Sequence, residues 1–401
     1  MNLSKRLSKI EPSETLAITN RVLEMKTNGE DVIGLGAGEP DFDTPVHIRQ
    51  AAIEAINAGH TRYTQATGIP QLREAISYRF KQDNGIDYGP DEIIVSCGGK
   101  HVLATAILAI CNEGDEVLIP SPYWVSYPAM VWLSGAEPVF VPTKPDKEFS
   151  FDVELLKRSI TEKTKVFMFC NPVNPTGAVY GVDQTDQIAE VLKDTNIIII
   201  TDELYHSMIF DDIKIRSLAT YPELEGRVIS VNGVSKAYAM TGWRIGYAAG
   251  PHKYISQMGK IQSHMTSNPT SIAQWAALAA LTGPQDCVRE MTAIFKQRRD
   301  FVYKSLMKIK GIGCHRSQGT FYIFPDVSKF FPAHVNDYNI ENVVDLCNYI
   351  LETQKVALVP GSAFGSPKHL RISFATSMTS LQQAMERVHS GLQDLYEHKE
   401  N

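Results

Sequence analysis

Between residues 94 and 250, short apolar β-rich runs alternate with segments of helical length, and this alternation limits the possible fold more than any other feature. Residues 116–119, 138–141, 165–169, 197–201 and 227–231 read as strands. The later ones are nearly continuous apolar runs, as strands covered on both faces of a parallel sheet require. Residues 100–111 and 184–193 have the length and pattern of helices. Such alternation predicts an α/β fold, a large domain whose mostly parallel sheet is flanked by helices. Ligands of such sheets bind beyond the carboxyl ends of the strands, so residues just after each strand are the first candidates for chemistry.

From about residue 285 the pattern changes. A charged helical stretch at 288–308 is followed by a strand-like run at 320–324 and a helix at 340–352. Strand-like runs at 356–359 and 370–375 then precede a last helix. We expect a smaller α+β domain here, giving the division 1–45 (a segment joining the small domain), 46–284 (large domain) and 285–401 (small domain). A chain of 401 residues is long enough for that pairing. A net charge of −6 argues against nucleic acid or an anionic membrane as partner. The six cysteines contain no C-x-x-C pair, which argues against a zinc ribbon or disulfide framework and fits a reducing cytoplasm. The stretch 1–9 lacks the apolar core of a signal peptide, and the longest mostly apolar run, 102–111, is short for a membrane span. The expectation is a soluble cytoplasmic protein.

Several residues stand where an α/β sheet would place chemistry. Lys236 follows Ser235 and precedes Arg244 by eight positions, with Gly242-Trp243 between. A primary amine can condense with an aldehyde cofactor such as pyridoxal phosphate, while Ser235 and Arg244 hold its phosphate. The alternative is a surface lysine in a polar turn. Asp202 ends an apolar strand, where it can cap a following helix or pair with a protonated pyridine nitrogen. The latter pairing is worth about 4 kcal/mol at an effective dielectric near 20.

The Cys170-Asn171-Pro172-Val173-Asn174-Pro175-Thr176-Gly177 run forms a rigid turn after another strand. It fixes the Asn174 amide, which could donate to a phenolate oxygen, as could Tyr205. Ser96-Cys97-Gly98-Gly99-Lys100 opens a helix, and backbone N–H groups there favour a phosphate. Gly34-Leu35-Gly36-Ala37-Gly38 lacks the spacing of a dinucleotide loop, and Glu39-Pro40 follows where a helix should run, which argues against a nicotinamide cofactor. Trp124 could stack on an aromatic ring or pack in the core. Arg371 lies within the apolar run 370–375 and needs an anion, either a substrate carboxylate or an internal salt bridge.

Together with Ala37-Gly38-Glu39-Pro40-Asp41-Phe42-Asp43-Thr44-Pro45 and Pro122-Tyr123-Trp124-Val125-Ser126-Tyr127-Pro128, these runs resemble the class I aminotransferases of the fold-type-I pyridoxal-phosphate family. The similarity extends nearly end to end and is greatest to subgroup Ib, the bacterial aspartate aminotransferases. It implies ping-pong transfer of the amino group from L-aspartate to 2-oxoglutarate, giving oxaloacetate and L-glutamate. By this resemblance Lys236 binds the cofactor aldehyde, Asp202 pairs with the ring nitrogen, Tyr205 and Asn174 hold the phenolate oxygen, and Trp124 stacks on the ring. Gly99, Lys100, Ser235 and Arg244 hold the phosphate, and Tyr63 reaches the phosphate of a second subunit's site, which implies a homodimer. Arg371 clamps the α-carboxylate with help from Asn174, Trp124 and the Gly38 backbone. Lys100 and Thr15 receive the second carboxylate of dicarboxylic amino and keto acids, and the small domain closes over them.

Relatives that accept prephenate carry a basic residue where this chain has Glu11, so weak prephenate activity is expected. His101 and Cys170 depart from the family without a clear consequence. A related aminotransferase of aromatic or prephenate specificity is the alternative. A non-catalytic cofactor-sensing domain is a more distant one, because only about thirty residues precede the Gly38 motif.

Overall fold

The computed structural model describes residues 4–400; Met1 to Leu3 and Asn401, the outermost residues of the N-terminal stretch and of the 285–401 segment, lie outside the described residues. Helix α1 (Glu14–Thr27) leads into a two-residue strand, β1 (Ile33–Gly34), and helices α2 (Val46–Asn57) and α3 (Pro70–Arg79) follow. Seven strands then build the large sheet: β2 (Ile93–Ser96), β3 (Glu116–Ser121), β4 (Glu137–Pro142), β5 (Thr164–Cys170), β6 (Ile198–Asp202), β7 (Val228–Gly233) and β8 (Gly246–Ala249). Their spatial order is β2-β8-β7-β6-β5-β3-β4, and only β8 runs antiparallel to its neighbours. Helices α4 (Gly99–Ile110), α5 (Ser126–Ser134), α6 (Val153–Ser159) and α7 (Val182–Leu192) make the crossovers.

The centre of the sheet is covered on both faces because β5 and β6 are apolar at odd and even positions alike. On β5, Val166 and Met168 join one apolar cluster while Phe167 and Phe169 join another. On β6, Ile198 and Ile200 face the first cluster and Ile199 the second. Period-two alternation places such residues on opposite faces, so an unbroken apolar run marks a central strand. The register pairs Cys170 with Asp202 and Asp202 with Val231, so the carboxyl ends of β5, β6 and β7 lie side by side.

Strand β8 was not anticipated. Its sequence, Gly246-Tyr247-Ala248-Ala249, is short and offers only Tyr247 as a strand former, so local propensity is weak. A Cβ on Gly246 would stand 2.2 Å from the backbone nitrogen of Gly99, so β8 approaches the start of α4 more closely than any side chain permits. Gly246→Ala should therefore destabilise the fold by about 1–3 kcal/mol. Thermal unfolding measures this, and an unchanged Tm would refute the close approach.

After α8 (His252–Met265), α9 (Ser271–Thr282) and α10 (Asp286–Leu306), the chain forms β9 (Tyr322–Ile323) and the hairpin β10 (Ala333–Val335) with β11 (Tyr338–Ile340). Helix α11 (Val343–Gln354), capped by the Asn342 side chain, follows. Then come β12 (Val356–Ala357), β13 (Val359–Pro360), β14 (Leu370–Ser373) and α12 (Met378–Glu400). The run 356–359, read as one strand, is two: β12 pairs in parallel with β1, and β13 pairs with β14. Leu358 separates them and is buried among Phe321, Ile350 and Phe374, while Leu35 of the N-terminal segment enters the same cluster. Among the described residues, no helix is long and apolar enough to cross a membrane.

Candidate active site

At the carboxyl ends of β5 and β6 lies a cavity of about 310 Å³. Asn174, Asp202, Tyr205, Lys236 and Arg371 line it together with Gly38, Lys100, Trp124 and Thr15, nine of the residues singled out in the sequence. These come from positions 15 to 371, so only the fold brings them together.

Asp202 is the last residue of β6 and is buried. Tyr127 Oη donates to its Oδ2 at 2.6 Å, and the Leu204 amide donates to Oδ1 at 3.3 Å. No helix follows Asp202, so its carboxylate does not cap one. Burial pushes the carboxyl up to about 6, against the pull of these two hydrogen bonds. Lys236, on the turn after β7, donates from Nζ to the Gly38 carbonyl. Burial lowers its ammonium to about 8, with the Glu39 carboxylate opposing that shift.

Arg371 is 2% exposed. Its Nη1 donates to Asn174 Oδ1 at 2.9 Å and its Nη2 to the Gly36 carbonyl at 2.9 Å. Its guanidinium lies over the rings of Tyr322 at 4.2 Å and Phe364 at 4.8 Å. Nε is buried without a partner. No carboxylate among the described residues pairs with it, so the internal salt bridge considered above is not formed. A buried cation held only by neutral oxygens and aromatic faces is a receptor for an anion.

At the other side of the cavity the Lys100 Nζ lies 5.0 Å from the centre of the Trp124 ring. Burial, and then the nearby Arg244 charge, lower the Lys100 ammonium. Gly98 precedes α4 with a φ of 91°, and a Cβ there would meet the Arg244 guanidinium at 2.3 Å. Arg244 donates to the Thr241 carbonyl at 2.9 Å and to the Cys97 carbonyl at 3.3 Å. Cationic groups thus converge on a helix start that opens on two glycines, Gly98 and Gly99. Gly99 and Ser235 are buried and lie outside the lining of the cavity, as does Arg244. Tyr63 is 88% exposed and does not line the cavity of its own chain. Glu11 is exposed and lies outside the lining too, although Ser13, two residues on, contributes to it.

The sequence model of the family described as aminotransferase class I and II matches residues 30–388. The chain belongs to this family. It is 47% identical to the aspartate aminotransferase of Geobacillus stearothermophilus, over 97% of this chain and 98% of that protein. It is 46% identical to the aspartate/prephenate aminotransferase of Nitrosomonas europaea, over 97% of this chain and 99% of that one. Among solved structures, the aspartate aminotransferase from Rhizobium meliloti superposes with a TM-score of 0.94 at 42% identity, over 98% and 99% of the two chains. The Thermus thermophilus aspartate aminotransferase with maleate gives 0.91 at 38% identity, over 98% and 100%.

Class I and II aminotransferases imply pyridoxal phosphate, and the residues present fit that group. A buried carboxylate, an amine of lowered basicity and a glycine-opened helix start beside Arg244 correspond to its ring nitrogen, aldehyde and phosphate. Among the lining residues of this aminotransferase that sequence reasoning missed, three bear on the residues described above. Tyr127 lies one helical turn after Trp124, a spacing that could have revealed it. Glu39 accepts from Thr241 Oγ1 at 2.8 Å, and it lies within the run 37–45 that carries the family resemblance. Tyr322 carried no local signal. Cys170, noted earlier without consequence, is buried in the lining beside Tyr127 and Asp202. His101 has neither ring nitrogen hydrogen-bonded, and its placement assigns it no role.

Proposed function

We propose that the protein is a pyridoxal-phosphate-dependent aspartate aminotransferase of subgroup Ib, transferring the amino group of L-aspartate to 2-oxoglutarate. The observation that carries this reading is Arg371: a buried guanidinium with no anion of its own, in the cavity that holds Lys236 and Asp202. When bound, pyridoxal phosphate supplies the aldehyde that receives the amino group and a ring that withdraws electrons.

Each residue then has a task. Nζ of Lys236, freed by the incoming amine, accepts the proton leaving the substrate Cα and returns it, which its lowered basicity favours. Asp202 in its anionic form holds a cationic ring nitrogen. Asn174 accepts from Arg371 through Oδ1, which leaves its Nδ2 hydrogens free for the phenolate oxygen beside Tyr205. Trp124 covers the ring, while Gly99, Lys100, Ser235 and Arg244 take the phosphate. Arg371 fixes the α-carboxylate beside Asn174, Trp124 and the Gly38 backbone, which aligns the breaking bond.

Lys100 and Thr15, both in the cavity lining, receive the second carboxylate. The relative whose structure contains maleate, a four-carbon dicarboxylate, supports a dicarboxylate as ligand. Tyr63, so exposed in one chain, completes the phosphate site of a second copy in a homodimer. We also carry forward the division 1–45, 46–284 and 285–401, with closure of the small domain on dicarboxylates, and a cytoplasmic location.

Spectral half-reactions test this reading. L-aspartate alone should convert the cofactor band and release oxaloacetate, and 2-oxoglutarate should restore the band. A kcat/KM higher with tyrosine or with prephenate and glutamate would favour the alternative specificity. Glu11, outside the lining, acts on prephenate only through screened solvent. Glu11→Lys should accordingly raise prephenate kcat/KM by only about 2–5-fold, at constant aspartate activity. No gain would remove the charge argument.

A further inference from the structure

Tyr322, on β9, is 1% exposed and lines the cavity. Its hydroxyl lies 3.1 Å from the Tyr205 hydroxyl. The two rings meet edge to face at 6.0 Å, and the Arg371 guanidinium lies over the Tyr322 ring at 4.2 Å. Strand β9 pairs directly with β14, which carries Arg371, through Tyr322 with Ser373 and Ile323 with Ile372. Tyr322 therefore links the strand of the carboxylate clamp to the tyrosine at the end of the β6 turn.

A hydroxyl has one hydrogen and can both donate and accept. If Tyr205 donates to the cofactor's phenolate oxygen, as in the function proposed above and on which this inference rests, its own oxygen is left to accept. Tyr322 is the donor in place to fill that role. We infer that Tyr322 is a positioning residue for amino transfer: its hydroxyl donates to the Tyr205 oxygen, which directs and strengthens the Tyr205 O–H bond to the phenolate oxygen. Burial raises both phenols, so each keeps its hydrogen at neutral pH. Donors in series polarise one another, strengthening each bond by roughly 10–30%. In the free chain the Tyr205 hydroxyl already has the Tyr322 hydroxyl as a hydrogen-bond partner before any ligand arrives.

The holoenzyme offers a direct readout. The proton on Nζ of cofactor-bound Lys236 titrates against the negative charge of the neighbouring phenolate oxygen, and the visible band reports that titration. A weaker bond from Tyr205 leaves more charge on this oxygen, so the proton is held to higher pH. Tyr322→Phe keeps the ring beneath Arg371 and removes only the hydroxyl. Its band midpoint should rise by about 0.3–1 pH unit. Tyr205→Phe should raise it further, and the double variant should match Tyr205→Phe alone. A wild-type midpoint in Tyr322→Phe, or additive shifts in the double variant, would overturn the inference. Absence of any such band in the wild-type protein would instead defeat the proposed function.

Discussion

Lys236→Ala should remove the cofactor's visible band and lower transamination by at least about 10⁴-fold. One amine is assigned two tasks, attachment of the cofactor and transfer of the α-proton. General acid–base catalysis alone contributes about 10²–10⁴-fold, and the covalent role adds to it. Folding should survive, because the change removes a charge that burial already disfavours, at about 8 instead of its ordinary basicity. The Gly38 carbonyl loses its donor, a cost of about 1–3 kcal/mol at most. Reconstitution with pyridoxal phosphate, followed by absorbance and a coupled oxaloacetate assay, makes the measurement. A variant with the wild-type band and turnover would disprove the assignment of Lys236.

The two arms of that result separate effects that a simple loss of activity would merge. Cofactor retained without turnover would mean that Asp202 and the Gly98–Lys100 helix start hold the group without the lysine. Loss of both would mean that attachment dominates affinity. In either case the Tm distinguishes loss of a function from loss of the fold, since the surrounding apolar clusters contain none of the altered atoms.

The large sheet was legible because its inner strands carry runs that are apolar on both faces, such as 166–170 and 198–200, and such runs have few other ways to be buried. Asp202 and Asn174 were legible for a related reason: each follows a run of that kind, where a parallel sheet opens to ligands. Local sequence did not reveal β8, whose four residues include only one strand former, Tyr247, and whose place depends on contact with α4. Nor could it reveal the partners of Arg371, which lie 197 and 335 positions away in the chain. Tyr322 was hidden most completely. Its meaning depends on a strand pairing within 370–373 and on a hydroxyl 117 positions distant. Pattern locates the ends of strands, whereas tertiary register decides which side chains meet there.

Arg371→Ala should reduce kcat/KM for aspartate by about 10²–10⁴-fold while leaving the cofactor band in place. A guanidinium grips a carboxylate through two parallel charge-assisted hydrogen bonds, each worth about 1.5–3 kcal/mol. Little of this should appear as instability. The variant leaves the buried Asn174 and Gly36 oxygens without donors, at a cost of about 1–3 kcal/mol each. It also removes a buried cation that no carboxylate compensates, which returns several kcal/mol. The two changes oppose each other, so Tm should move by only a few degrees. Arg371→Lys retains the charge but not the planar fork, so it should recover only part of the loss, mainly in KM. If Arg371→Ala lost the cofactor band and kept its KM for aspartate, the residue would belong to the cofactor site and the reading of the cavity as a carboxylate receptor would fail. If KM rose alone, with kcat intact at saturation, Arg371 would contribute binding without alignment. A fall in kcat as well as a rise in KM would place it in the geometry of the proton transfer itself, because a carboxylate held at two points is what stops the α-carbon from rotating away from Nζ of Lys236.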